Sequence, residues 1–154
     1  MLLKKAYYYF YYQLYKSINN SSVFSRQFRA SLYLDILFII VGLSSLYLYG
    51  TFVDSGFEIE NGKWFIVLYI GVICIPNYFI FEHNGQWKDI VNEFDQLPRK
   101  TNKIGRCVVW VIIILIIASL IFSIYLMDQK ARINHTGPYS REYMEQQKMD
   151  SISN

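Results

Sequence analysis

Three long apolar stretches dominate the pattern of hydrophobic and polar positions along the chain. They cover residues 32–52, 64–81 and 107–127, and a helix of about 20 residues is needed to cross a bilayer. The third stretch contains no charged residue, and the second is interrupted once, by Pro76. A helix that is apolar on every side must be buried in a large protein or in a membrane, and 154 residues are too few to bury three. The pattern therefore predicts an all-α integral membrane protein with three transmembrane helices.

Two other interpretations of the apolar stretches fit less well. Buried strands usually end after four to eight residues, and the glycines and prolines that would separate strands are missing inside the third stretch. A cleaved signal peptide would need a small-residue cleavage site. The N-terminal region instead carries a tyrosine run from Tyr7 to Tyr15 after Lys4 and Lys5.

The N-terminal region, residues 1–31, contains a tyrosine-rich amphipathic pattern. Tyr7, Tyr11, Leu14 and Ile18 fall on one helical face over residues 3–18, and Lys5, Gln13 and Lys16 fall opposite. Tyrosine has an apolar ring and a hydroxyl that favours water, which suits the headgroup boundary of a bilayer. We expect an interfacial helix in the membrane plane. The alternative is that the same aromatic stripe packs against the spans.

The loop between the second and third stretches carries a second amphipathic pattern, at residues 86–97. Its apolar residues follow helical spacing, and the opposite face is polar and more acidic than basic. We expect this stripe to be covered by the N-terminal helix or by a partner rather than by lipid. The residues of this candidate partner interface are Trp87, Ile90, Val91, Phe94 and Leu97.

The distribution of Lys and Arg predicts the orientation of the chain. Residues 1–31 and 82–106 carry five each, residues 53–63 carry one, and residues 128–154 carry four. Cytoplasmic segments are enriched in Lys and Arg, so an arrangement with ten inside and five outside is favoured. The prediction is a cytoplasmic N-terminus and an external C-terminus in a bacterial inner membrane.

Two external segments have weaker patterns. Residues 57–64 alternate around Asn61-Gly62, which is a hairpin signal. The tail at residues 128–154 is polar, carries balanced charges and is expected to be disordered.

Composition narrows the classes of function. The mean hydropathy is +0.18 and the charged fraction is 18%, against roughly 25% in soluble domains. A net charge of +3 is too weak to indicate nucleic-acid binding. Two cysteines and two histidines exclude a disulfide scaffold and a zinc ribbon. We expect no catalytic residue, no cofactor and no metal.

Ionisable groups within or beside a span are candidate functional sites by default. Asp35 is expected to cap the start of the first span, or to pair with Arg29 or Lys103, with a proton or ion site as the alternative. Glu82-His83 is expected to be a hydrated boundary. Pro76-Asn77 predicts a kink or an early exit, although broken helices also build substrate sites in transporters.

Small residues within the spans are candidates for close helix packing. Three short spans bury little surface alone, so we expect the chain to associate with itself or with another membrane protein. The candidate packing residues are Gly42, Ser45, Gly71, Ser119 and Ser123.

Four segments carry a resemblance to known sequences: the tyrosine run Tyr7–Lys16, the sequence Asn77–Phe81, the loop helix with Trp87-Lys88 and Glu93–Pro98, and Ile104-Gly105. Together they resemble a group of small three-span membrane proteins of Bacteroidota-type bacteria. The similarity covers residues 7–127. The group has no assigned activity, so the resemblance implies a membrane location and no reaction.

These observations favour a non-enzymatic inner-membrane protein that acts as an accessory or interaction subunit and contacts the lipid bilayer. The alternative is a membrane-active conflict protein, either a holin-like pore former or an immunity protein against a membrane toxin. A small oligomeric transporter ranks third. Pore formation predicts growth arrest and membrane depolarisation on expression, and an accessory subunit predicts neither.

Overall fold

The computed structural model describes residues 2–19, 24–53, 62–135, 139–140, 145 and 149. The described part of the chain is helical and contains no strand. Its α-helices are α1 (Leu2–Ser17), α2 (Arg26–Phe52), α3 (Gly62–Asn77), α4 (Trp87–Asp95) and α5 (Arg99–Asn134). A π-helical turn (Tyr78–Glu82) and a 3₁₀ turn (His83–Gly85) connect α3 to α4.

Three helices are long and apolar enough to cross a membrane, which confirms the three-span prediction. They cover Arg26–Phe52, Trp64–Glu82 and Arg99–Asn134. The first and third begin well before the apolar stretches at residues 32 and 107, because their polar flanks continue the same helix. Pro98 has extended backbone angles (φ −54°, ψ 141°) and so fixes the start of α5.

Helix α5 also continues beyond the predicted end of the third span, as far as Asn134. The first residues of the polar tail are therefore helical rather than disordered. An ion pair of 2.9 Å between Arg132 and Asp128, one turn apart, favours this extension. His135 then adopts a left-handed conformation (φ 51°) that ends the helix.

Helix α2 is the central span, because both α3 and α5 pack on it. The hydroxyls of Ser44 in α2 and Ser119 in α5 lie 3.5 Å apart, and Ser123 is fully buried. Ser45, by contrast, is exposed and donates a hydrogen bond within its own helix, to the carbonyl of Val41. The helical rotation of α2 thus presents Ser44, and not Ser45, to α5.

The two candidate glycines differ in their surroundings. A Cβ at Gly42 would overlap the ring of Tyr69, whose hydroxyl donates to the carbonyl of Phe38 at 2.9 Å. A Cβ at Gly71 would meet only the Ile75 side chain of its own helix, at 3.9 Å. Gly42 therefore lies at the contact between α2 and α3, whereas Gly71 makes no close contact with another helix among the described residues.

The core lies at the end of the spans where α1 and α4 pack, which we call the α1/α4 end. The most continuously buried segment in the described chain is in α1, where Tyr11, Tyr12, Gln13 and Leu14 are all buried. The tyrosine stripe of α1 therefore packs against protein, which was the alternative to a helix lying in the membrane plane. Gln13 was expected on the polar face, yet its amide is buried and donates to the Tyr9 hydroxyl at 2.8 Å.

Two of the sequence predictions concern residues outside the described part of the chain. Residues 54–61, which contain most of the expected hairpin, are among them, and the last three residues of that hairpin, 62–64, begin α3 rather than forming a strand. Most of the tail beyond residue 135 also lies outside the described part.

Candidate functional site

A polar junction joins three helices at the α1/α4 end. Asn77, at the end of α3, is 5% exposed. Its side-chain amide donates to the carboxylate of Asp35 in α2, and its carbonyl oxygen accepts a hydrogen bond from the Tyr7 hydroxyl of α1. The Cys74 thiol also contacts the Asp35 carboxylate. One buried amide therefore ties α1, α2 and α3 together.

The surroundings of Asp35 correct the expectation of a helix cap. Helix α2 begins at Arg26, so Asp35 lies more than two turns inside it, beyond the reach of the helix N-terminus. Arg29 donates instead to the carbonyl of Asn19. The described partners of Asp35 are the Asn77 amide and the Cys74 thiol, because α3 approaches α2 at this level.

The second span continues past Pro76 rather than ending there. Proline removes a backbone N–H from the helix interior and so disturbs the regular α-helical hydrogen bonds. The π-helical turn Tyr78–Glu82 begins two residues after Pro76. The turn places Phe81 fully inside the core, where its ring stacks on Tyr11 at 3.9 Å between centroids and 10° between planes. Tyr78 and Phe79 remain more than half exposed.

Glu82 and His83 follow the π-helical turn and differ in their surroundings. His83 is exposed and its ring contacts that of Phe79. One carboxylate oxygen of Glu82 is buried and has no hydrogen-bond partner among the described residues. Glu82-His83 was expected to be a hydrated boundary. This expectation fits His83, which is exposed, better than Glu82, which has a buried carboxylate oxygen.

The apolar stripe of α4 packs on α1 of the same chain. Ile90, Val91 and Phe94 are buried, and Phe94 contacts the rings of Tyr9 and Tyr12 at 5.2 Å and 5.7 Å between centroids. The two outer residues of the stripe, Trp87 and Leu97, are partly buried against the same core. In this structure the candidate partner interface is occupied by the N-terminal helix.

A polar cluster closes the contact between α1 and α4. The Asp95 carboxylate accepts a hydrogen bond from the Tyr12 hydroxyl at 2.8 Å and forms an ion pair with Lys16 at 2.8 Å. The Asn102 side chain of α5 donates to the Tyr12 hydroxyl at 3.3 Å and to the Phe94 carbonyl at 3.2 Å. These bonds connect α1 and α4 to the first turn of α5.

The charges in this cluster shift the pKa of its members. Partial burial acts to raise the pKa of Asp95, but the hydrogen bonds from Lys16 and Tyr12 and the positive charge of Lys16 outweigh it, and the pKa lies below its ordinary value. Burial, together with the bond to Asp95, raises the pKa of Tyr12. Tyr12 is therefore a neutral hydroxyl donor, and Asp95 is an ionised acceptor, at neutral pH.

Sequence reasoning did not find the junction at Asn77. Asp35 and Pro76-Asn77 were each singled out, but nothing in a single sequence places residues 42 positions apart side by side. The tyrosine stripe of α1 was expected to face the headgroups, with packing against the spans as the alternative, and the sequence does not distinguish the two. A buried tyrosine hydroxyl needs a hydrogen-bond partner, and for Tyr7 the structure supplies it at Asn77.

The described residues contain no group of three or more His, Cys, Asp or Glu side chains placed to hold a metal ion. In comparisons with known proteins, no protein family, no curated protein and no solved structure matches the chain.

Proposed function

We propose that this chain is a non-enzymatic membrane protein that acts as an accessory or interaction subunit of a membrane assembly. The observation that carries this proposal is the open arrangement of the spans. Within the described residues, α3 packs on α2 and not on α5 to any comparable extent. One flank of α3 is therefore left for a neighbour in the membrane, such as a second copy or another membrane protein.

The exposed side chains of α3 support an intramembrane contact. Val67, Leu68 and Val72 are all more than 60% exposed, and they follow one another along a single apolar helix. The polar network of α3 lies at its other end, at Asn77. Since lipid tails are as apolar as these residues, association would depend on close packing between helices.

The orientation in this proposal is a cytoplasmic N-terminus and an external C-terminus. It is supported by the ten Lys and Arg residues in segments 1–31 and 82–106, against five in the other two segments. Under this orientation α1 and α4 lie at the cytoplasmic boundary. The exposed Lys4 and Lys5 of α1 suit that boundary.

Photocrosslinking in intact membranes tests the subunit proposal. A photoreactive phenylalanine analogue replaces Leu68 of α3 in the full chain. The matched control carries it at Leu115 of α5, which is similarly exposed, at 62% against 68%. We expect a discrete protein adduct from position 68 alone, and its mass separates a second copy from a different protein. Lipid adducts alone at both positions would contradict the proposal.

The non-enzymatic part of the proposal has its own test. Asp35→Asn, Glu82→Gln and His83→Gln preserve size while removing the ionisable groups within the spans and directly after the second span. We expect each variant to reach the membrane at normal abundance and to retain the crosslink from position 68. A variant that kept its abundance but lost the crosslink from position 68 would contradict the expectation that these ionisable groups are dispensable.

The same strains distinguish the conflict-protein alternative. We expect expression of the full chain to leave growth and membrane potential unchanged. Growth arrest with depolarisation would favour a holin-like pore former. Protection of a host against a co-expressed membrane toxin would favour an immunity protein.

A further inference from the structure

A polar cavity of about 360 Å³ lies between the end of α1, the loop after α4 and the first turns of α5. Its volume falls within the range of roughly 300–1,000 Å³ that is usual for small-ligand sites. Four cationic side chains line it: Lys16, Arg99, Lys103 and Arg106. The cavity is thus a concentration of positive charge at the α1/α4 end.

The cations of α5 that line the cavity lie on one side of the helix, and all three are exposed. Arg99, Lys103 and Arg106 are spaced four and three residues apart, which places them on one face of the helix. The same face continues into Val109 and Ile113, which are buried against the bundle. Anchoring of a span at the membrane surface requires positive charge, but it does not require the cations to lie on one face of the helix. Anchoring alone therefore does not explain why Arg99, Lys103 and Arg106 share a face.

Lys100 provides a comparison within the same turn. It follows Arg99 by one residue and therefore lies about 100° away around the helix. It does not line the cavity. The basic segment at residues 99–106 thus divides into three cations that face the cavity and one that does not.

The charge inside the cavity is poorly balanced. Asp95 is the one carboxylate among the residues that line it, and it is already paired with Lys16 at 2.8 Å. Among the ion pairs of the described residues, none involves Arg99, Lys103 or Arg106. Three cationic groups therefore face the cavity without a carboxylate partner.

The position of the cavity relative to the membrane indicates the source of an anion. Arg106 immediately precedes Cys107, the first residue of the charge-free apolar stretch of α5. The cavity is therefore at the level of the lipid headgroups, whichever way the chain is oriented. Basic pockets between helices at this level are suited to anionic headgroups.

We propose that this cavity binds the phosphate of an anionic membrane lipid. Arg99 and Arg106 supply planar guanidinium groups that can each donate two hydrogen bonds to phosphate oxygens. Lys103, which lies between these two arginines in the sequence, lines the same cavity and adds a third positive charge. The acyl chains of the lipid remain in the bilayer, beside the apolar residues that begin at Cys107. The bound lipid would stabilise the contact between α1 and α5.

The test uses the full chain in a zwitterionic detergent, with bound lipids counted by native mass spectrometry. Phosphatidylglycerol is titrated against phosphatidylcholine, and inorganic phosphate is added in a separate arm. The cavity variant is Arg99→Gln with Arg106→Gln. The control variant, Lys88→Gln with Lys100→Gln, removes the same charge from exposed positions outside the cavity.

We expect phosphatidylglycerol to bind the natural chain in preference to phosphatidylcholine. A basic residue near a membrane surface contributes about fivefold in affinity, so the cavity variant should bind about 25-fold more weakly. The control variant should retain the affinity of the natural chain. If the cavity variant does not fold, Lys103→Gln alone should weaken binding about fivefold.

Three results would overturn the proposal. Equal binding of the two lipids would show that the headgroup charge is not recognised. An equal loss in the cavity and control variants would assign the effect to the overall surface charge. Displacement of phosphatidylglycerol by millimolar inorganic phosphate would identify a site for free phosphate rather than for a lipid.

Discussion

The contact of α4 with α1 offers the sharpest test of the structure, through the substitution Phe94→Asp. Phe94 is 7% exposed and lies against two tyrosine rings of α1. Loss of a buried phenylalanine side chain costs about 3–5 kcal/mol. The new carboxylate adds the cost of burying an unpaired charge. Since whole domains are stable by only about 5–15 kcal/mol, we expect α4 to separate from α1.

Amide hydrogen exchange of the full chain in detergent measures this separation. A cost of 3–5 kcal/mol corresponds to a loss of protection between about 10²-fold and several thousand-fold in α1 and α4, and the buried charge would increase it. The protection of the spans should change much less, because α2 and α5 pack on each other elsewhere. Phe94→Ala should show the same pattern with the smaller cost of truncation alone.

Asn92→Asp is the matched control, because Asn92 is exposed on the opposite face of the same helix. It introduces the same charge two residues away and should leave exchange unchanged. Equal protection of α1 in Phe94→Asp and in the natural chain would refute the packing of α4 on α1. The stripe would then be free for lipid or for a partner.

The remaining predictions concern the polar cluster, one glycine and the buried amide. The folded pKa of Asp95 lies below the unfolded value of about 3.9, so its stabilising contribution is complete above about pH 4 and is lost as the pH falls through the folded value. The contribution of Asp95 to the protection of α1, measured as the difference between the natural chain and Asp95→Asn, should therefore be constant from about pH 5 to 8 and disappear at lower pH. Gly105→Ala should lower thermal stability by about 1–3 kcal/mol, because its Cβ would overlap the packed ring of Tyr9, whereas Gly71→Ala should not lower it. Asn77→Ala leaves two hydrogen-bonding groups unpaired and should cost about 1–3 kcal/mol for each, and unchanged thermal unfolding would contradict the junction.

The three spans were predictable because each rests on a property of consecutive residues. Length and apolarity alone identify residues 32–52, 64–81 and 107–127, and the spans of the structure, Arg26–Phe52, Trp64–Glu82 and Arg99–Asn134, contain them. Their ends were less predictable, since a polar residue such as Arg99 or Arg132 continues a helix as readily as it ends a span. The helical pattern of α4 was equally visible, because its spacing is local.

The packing partners were not predictable, because they depend on the rotation and approach of whole helices. A tyrosine stripe suits a lipid headgroup and a protein groove equally well, and the sequence does not distinguish them. Ser44 and Ser45 are neighbours of the same type, and only the direction of α2 decides that Ser44 meets α5. The cation-lined cavity at Arg106 likewise arises where α1 meets α5, which a count of basic residues does not reveal.

The polar contacts at the α1/α4 end connect features that the sequence shows separately. Pro76 disturbs the second span, the π-helical turn after it brings Phe81 under Tyr11, and Asn77 fixes α1 to α2. The Tyr12–Asp95–Asn102 bonds then hold α1 against α4 and α5. Because α1 takes part in every one of these contacts, its removal would expose the stripe of α4 and one wall of the cationic cavity together. A single helix thus couples the packing of the spans to the surface on which a lipid or a partner would act.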